Sequence, residues 1–480
     1  MGCEEPVGNR LYRAEIPYGV PGEEGGCRGR YALSGSYLTH VSSRELYWAK
    51  RQREKKGLEI AMNSAFYRRK ISLWVLGALL GALCLGWGTL SATESSGKST
   101  TNPEPLAAGE DGGGKQTPLL MRVLDAPEPV KGSDGKYHLV YELVLTNSSP
   151  GPATVEWVKT IDEKSGEVVG TLSGADLSAR MVRLGDVSGA TIDKIESGQV
   201  ALIFMDVTFD DLRDVPKVLE HRLKASFDIP SGFASNLFPA QTTDTGGGTE
   251  VLRKKPVVIS PPLKGKNWVA GNGCCGPSPH RGSMIAIDQK LLASERYAID
   301  WSQTEDDGSI DLPDKPKLTD FPAYGDPVLA VANGKVVDVV KGLPDEKPGV
   351  SNPDLTFKEV GGNHVILSIG GGRYAFYAHL KPGSIEVEEG DHIRSGQRIA
   401  RLGNSGYSTG PHLHFHVMDA PVPLGADHNL PYVFDSFVYQ GRFVDEASGG
   451  HSILLDTPEP REDELPLANS LVTFPAPRGH

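Results

Sequence analysis

Cysteine is scarce in this chain, with 5 in 480 residues. So thin a supply excludes a fold stapled by disulfides. Positive charge is short as well: 49 Lys and Arg stand against 61 Asp and Glu, a formal net charge of -12. That balance argues against a nucleic-acid partner, whose binders carry a clustered basic face. Glycine and proline, by contrast, are plentiful at 57 and 35. They predict many turns and little long helix. A chain of this length exceeds what one hydrophobic core usually serves, so two folded domains with linkers are expected, mainly β.

Charge is unevenly spread. Residues 1–70 hold 13 Lys/Arg and 8 Asp/Glu, whereas the remainder is strongly acidic. Between the two parts, Ile71 to Leu90 runs without a single charge, directly after Arg68-Arg69-Lys70. A basic flank followed by an apolar run long enough to span a bilayer is an export signal or a membrane anchor, with the basic side cytoplasmic. The expected location is therefore periplasmic or at the cell surface, with residues 71–90 holding the chain to the membrane if uncleaved. Residues 1–61 show no sustained periodicity and read as an extension upstream of a second candidate start, Met62. Residues 62–92 are then the signal or anchor, and the Ser/Thr/Gly/Pro/Glu-rich residues 93–116 a flexible tether.

Residues 117–232 read as one folded region. Tyr137, Leu139, Tyr141, Leu143 and Leu145 alternate with other residues up to a turn at Asn147-Ser148, and further short strands follow at Val155–Val158 and Ala201–Phe209. Regularly punctuated strands of this kind suggest a β-sandwich, with an immunoglobulin-like arrangement among the options. No catalytic constellation is visible there, so a spacer or docking role is expected. Residues 233–262 read as a second linker, 263–445 as a second domain and 446–480 as a disordered tail.

The chemistry concentrates in that second domain. Gly410-Pro411-His412-Leu413-His414-Phe415-His416 places three histidines at alternate positions, which in a strand share one face. Three adjacent imidazoles suit metal binding or general base chemistry better than a plain polar face. Tyr377-Ala378-His379 ends another strand and adds a fourth. Asp300 sits in an otherwise apolar strand and needs a metal, or an arginine, as partner.

Asn363-His364-Val365-Ile366, Tyr377-Ala378-His379-Leu380, Glu389-Gly390-Asp391, Gly403-Asn404-Ser405-Gly406 and His412 to Phe415 together resemble the lysostaphin/LytM-type zinc endopeptidases (peptidase family M23). The resemblance reaches upstream through Tyr324-Gly325-Asp326-Pro327 and covers the C-terminal domain only. It implies a compact, barrel-type LytM/lipoyl-like β-fold holding Zn2+ in a groove and cleaving peptides of bacterial cell-wall peptidoglycan. Carried over residue by residue, it makes Asp300 and His414 zinc ligands and His379 and His412 the catalytic histidines. Asn404, Ser408, Thr409 and Tyr377 are candidates to line the groove.

One position departs from the family pattern. The first ligand there is a histidine four residues before the aspartate, and this chain has Arg296, which stays protonated and cannot ligate. The nearest upstream histidine is His280, beyond the vicinal pair Cys274-Cys275, and it is the candidate third metal ligand. If it does not reach the site, the chain is instead a catalytically inactive relative that binds the wall or activates another wall hydrolase. Two motifs are set aside. Gly406-Tyr407-Ser408-Thr409-Gly410 matches a nucleophile elbow but is followed by Pro411 and a strand, not a helix. Lys335 at a hairpin could suit a lipoyl carrier, which would leave the histidines without a purpose.

Overall fold

The computed structural model describes residues 115–186, 190–310, 312–426, 428–444 and 450–476. The expected extension at 1–61, the export or anchor segment at 62–92 and nearly all of the tether lie outside the described residues. Both β regions belong to one compact unit, Pro105–His480.

The first region is a sandwich of two antiparallel sheets. One has the order Leu119–Val123, Tyr137–Asn147, Val200–Phe209, Met181–Arg183, with Pro129–Lys131 also on Tyr137–Asn147. The other runs Gln241–Glu250, Val218–Phe227, Ala153–Asp162, Val168–Ser173. Leu139, Tyr141, Leu143 and Leu145 pack between the sheets, as alternation requires. The residues between them are buried too. Val140 belongs to the core of the second domain, and Val144 packs with Leu202 and Phe204 against Met284. The strand Tyr137–Asn147 is thus covered on both faces, because its outer face docks on the second domain.

The second region is built on a ten-stranded sheet that contains Gly334–Val340, His364–Gly370, Arg373–Ala378, Leu413–Met418, Ile299–Gln303 and Gly265–Gly271 in adjacent order. The architecture is mainly β throughout, as expected, and the large sheet runs as an open series of strands. Two boundary expectations are corrected. Residues 233–262 are not a plain linker: Gln241–Glu250, including Thr242 to Gly248, is an edge strand of the sandwich, and Val257–Ile259 pairs with Tyr432–Phe434. Gly246 keeps register opposite His221, while Gly247, at φ 62°, and Gly248 fall where the register shifts before Thr249 resumes the pairing. Nor is 446–480 a disordered tail throughout. His451–Arg461 and Ser470–Phe474 are strands of the large sheet, and Leu471, Val472 and Phe474 are buried there. A charged stretch at Arg461 to Glu464 hides the apolar alternation that follows it.

The interface between the two regions carries a buried charge cluster. Glu142, fully buried, accepts from Arg281 Nε and Nη2 on one oxygen and from Arg296 Nε on the other, at 2.8–3.1 Å. Asp125 Oδ2 takes a further Arg296 proton at 2.9 Å. Burial pushes the Glu142 carboxyl up, but Arg296 and Arg281 hold it below its ordinary value. Removing one partner from such a cluster costs about 3–5 kcal/mol, because a buried charge is left uncompensated.

Candidate metal centre

Two neighbouring strands set the site. Ile299–Gln303 and Leu413–Met418 pair antiparallel with Asp300 directly opposite His414, and Ala378 faces His414 from the other side. Leu413, Phe415 and Val417 alternate into the core, so His412, His414 and His416 share the opposite face.

His280 arrives from a loop. Pro279–Gly282 form a single helical turn whose N-cap, Ser278, accepts from Arg281 N. His280 Nδ1 lies 3.1 Å from both the Asn272 and the Ala298 carbonyls, so it donates there and turns Nε2 toward Asp300 Oδ1 at 3.2 Å. His412 is committed in the same way: Nδ1 donates to Gly410 O at 2.8 Å, and Nε2 is 3.3 Å from Asp300 Oδ1. His414 Nδ1 lies 3.1 Å from that same oxygen. Asn272 Nδ2 donates to the other carboxylate oxygen at 2.8 Å.

Three imidazole nitrogens therefore ring one carboxylate oxygen. With their Nδ1 protons spent on carbonyls, His280 and His412 can face it only by taking a second proton or by sharing a cation. Burial opposes the charged imidazole, yet Asp300 raises His280 to about 9 and also raises His412. Burial likewise opposes the charged carboxylate, but His280 and His412 hold Asp300 well below the carboxylate range. A divalent cation answers the same electrostatic demand. Ligand atoms of His280, Asp300 and His414 all lie within 4.8 Å of one another. Two imidazole nitrogens and a carboxylate oxygen are the donor set of a catalytic zinc site, which keeps its fourth position open. The residues present fit the metal.

His379 flanks this triad. It follows the strand Arg373–Ala378 in a left-handed conformation, φ 59°, uncommon for a residue with a side chain. Its backbone N donates to Gly361 O and its Nδ1 to Ser405 O at 2.8 Å, which leaves Nε2 as an acceptor. Burial, with His412 and His414 beside it, holds it well below the usual histidine range, so it is neutral near pH 7. Gly362 is required under this loop: a Cβ there would sit 2.2 Å from Ser405 O, the atom that anchors His379.

These residues open into a cavity of about 760 Å³, walled also by Glu295, His364, Phe376, Ser408, Thr409, Tyr407 and the run Pro421 to Leu424. Ser408 and Thr409 therefore lie where groove residues were expected. Asn404 and Tyr377 do not, which corrects that expectation. Phe376 and Ala378 take the groove side of their strand, so Tyr377 alternates into the core, packs on Phe415 and accepts from Val331 N. Asn404 is fully buried in the loop, accepting from the Ser408 hydroxyl at 2.6 Å and donating to Glu346 O. His364 donates from Nδ1 to Gly362 O and lines the cavity, while His416 is buried with Nδ1 2.9 Å from His414 Nε2.

Sequence reasoning missed Asn272, which braces both His280 and Asp300 from a turn, and Glu295, whose Oε1 is 3.5 Å from His414 Nε2. No periodicity marks a turn residue, and Glu295 meets His414 only through the sheet. Arg296 is turned away from the groove into the cluster with Glu142. Cys274 and Cys275 are joined in a disulfide. They serve the His280 loop through their carbonyls, with Cys275 O accepting from Arg281 Nη1 and Cys274 O from Ala468 N.

Peptidase family M23 matches residues 316–425, and this segment of the chain is similar to the domains of that family. The matched segment contains His379, His412 and His414 but begins after His280 and Asp300. Lysostaphin of Staphylococcus staphylolyticus is 35% identical over 99 residues, covering 20% of this chain and 17% of that protein. The peptidoglycan DD-endopeptidase ShyA of Vibrio cholerae is 38% identical over 71 residues, or 15% of this chain and 16% of its own. The chain thus spans less than a fifth of the length of either relative. Among solved structures, the catalytic domain of the antimicrobial peptidase lysostaphin from Staphylococcus simulans aligns with 34% of this chain and 88% of its own, at 21% identity and a TM-score of 0.20.

Proposed function

We propose that this protein is an exported, zinc-dependent endopeptidase that hydrolyses peptide bonds in peptidoglycan. The observation that carries the reading is the convergence of His280, Asp300 and His414 beside two further histidines at the floor of one groove. Bound Zn2+ supplies a polarised scissile carbonyl and a water whose pKa is lowered to about 7. The chain's own groups do the rest. Neutral His379, its tautomer set by Ser405 O, accepts a proton from the attacking water through Nε2. His412, its Nδ1 proton given to Gly410 O, turns Nε2 into the site and, when protonated there, is the hydrogen-bond donor to the carbonyl oxygen as charge builds. His280 and His414 are held in tautomer and orientation by backbone carbonyls and by Glu295 and His416 respectively, the support that ligating imidazoles need. The apolar wall of Phe376 and Pro421 to Leu424 excludes water from the peptide. Export rests on the uncharged run 71–90 behind its basic flank, and membrane attachment on its retention. Peptidoglycan as substrate rests on the resemblance and on what the relatives' names state of those proteins.

The test is zinc content by elemental analysis on the purified full chain, together with release of soluble peptides from purified peptidoglycan. About one zinc per chain with metal-dependent release is expected. Zinc without hydrolysis, or no zinc after reconstitution, would leave the inactive, wall-binding relative as the better reading.

A further inference from the structure

The position where the family pattern has its first ligand is occupied here by an arginine, and the structure shows where that arginine goes. Arg296, four residues before Asp300, reaches into the sandwich and pairs with Glu142 Oε2. Arg281, the residue after His280, pairs with Glu142 Oε1 at 2.8 Å and also donates to the carbonyls of Tyr141, Met205 and Cys275. All three side chains are buried, and the Arg281 guanidinium also stacks on Phe204, 4.8 Å from the ring centre. One carboxylate therefore grips, with one oxygen each, the two chain segments that carry His280 and Asp300.

We propose that Glu142 is a positioning residue for the metal centre, holding the His280 and Asp300 segments together through Arg281 and Arg296, so that the sandwich is part of the zinc site rather than a spacer. The inference rests on the metal-centre reading above and deepens it. Its physical ground is that His280 belongs to one helical turn of four residues in a loop, too short to hold a ligand by its own hydrogen bonds. The loop is tied at Cys274 O and Cys275 O by neighbours and at Arg281 by the sandwich. A ligand on a loop is only as well placed as the groups that fix the loop, and loss of such support commonly weakens metal binding by about 10–100-fold.

The test is zinc affinity of the full chain by chelator competition, with the visible absorption of the cobalt-loaded protein and thermal unfolding measured alongside. Glu142→Gln keeps the shape and removes the charge that both arginines share. It is expected to weaken zinc at least about tenfold and to alter the cobalt spectrum. Val140→Ala, at the same interface but outside the charge cluster, is expected to lower the unfolding temperature while keeping wild-type zinc affinity and spectrum. Should Glu142→Gln fail to fold, Arg281→Met, which leaves the Glu142–Arg296 pair, must show the same weakening. Wild-type zinc affinity in the folded Glu142→Gln or in Arg281→Met overturns the inference, as does an equal loss in Val140→Ala. A wild-type chain that binds no zinc overturns the metal-centre reading itself.

Discussion

Two buried histidines in this molecule are pushed in opposite directions. In the sandwich, His221 Nδ1 donates to Gly247 O at 2.9 Å and Nε2 meets the Tyr141 hydroxyl at 2.8 Å, and burial lowers its pKa to about 4. In the groove, His280 is also buried and donates from Nδ1 to carbonyls, but its Nε2 faces Asp300 and its pKa rises to about 9. Burial alone does not set the charge state of these two histidines. What separates them is the partner of the second nitrogen. A hydroxyl satisfies the neutral ring, whereas a carboxylate that already faces two other imidazoles demands a cation.

The largest effect belongs to the flanking histidines: His379→Ala and His412→Ala should each lower peptide hydrolysis by up to about 10⁴-fold while zinc stays bound. Zinc loss in His379→Ala, seen by elemental analysis, would count against its separate role. Next, His280→Ala and His414→Ala should each weaken zinc by about 10³-fold, since three protein ligands share the binding free energy. His221→Ala, under the same chelator competition, should leave zinc affinity untouched.

The third effect is on stability. Because the folded pKa of His221 lies below its unfolded value of 6.5, the unfolded chain takes up the proton first as pH falls. The stabilisation is complete above pH 6.5 and is lost between there and pH 4, amounting to about 3 kcal/mol. Denaturant titrations across that window should show the decline, and His221→Gln should flatten it. The smallest effect is at the strap between the sandwich and the C-terminal strands. Ser133 Oγ pairs with Ser470 Oγ at 2.9 Å and accepts from Leu467 N. Ser133→Ala should cost about 1 kcal/mol in calorimetry and leave zinc binding unchanged.

Much of the site was legible because strands write their faces in period two. His412, His414 and the apolar residues between them declared both a strand and a groove face, and the motif around His379 placed it nearby. The same rule explains the misplacement of Tyr377, whose neighbours Phe376 and Ala378 hold the groove side. What could not be read is what depends on contacts across long stretches of chain. Glu142 looks like an ordinary solvent-face residue of an alternating strand until the second domain is seen covering it. Arg296 looks like a lost ligand until its carboxylate partner, 154 positions away, is found. The C-terminal strands were hidden by local composition, and only their pairing with Gly265–Gly271 and Phe437–Val444 reveals them. A fragment of residues 255–450 would therefore lack both Glu142 and the strand Ser470–Phe474.

His280, from a loop, is expected to complete the metal site that Arg296 vacates. A crystal structure of the zinc-loaded full chain, with anomalous scattering recorded at the zinc edge, tests it most directly. One peak is expected, at about 2.0–2.2 Å from His280 Nε2, Asp300 Oδ1 and His414 Nδ1. A peak at the neighbouring group of Glu295, His414 and His416, with His280 outside the coordination sphere, would contradict it.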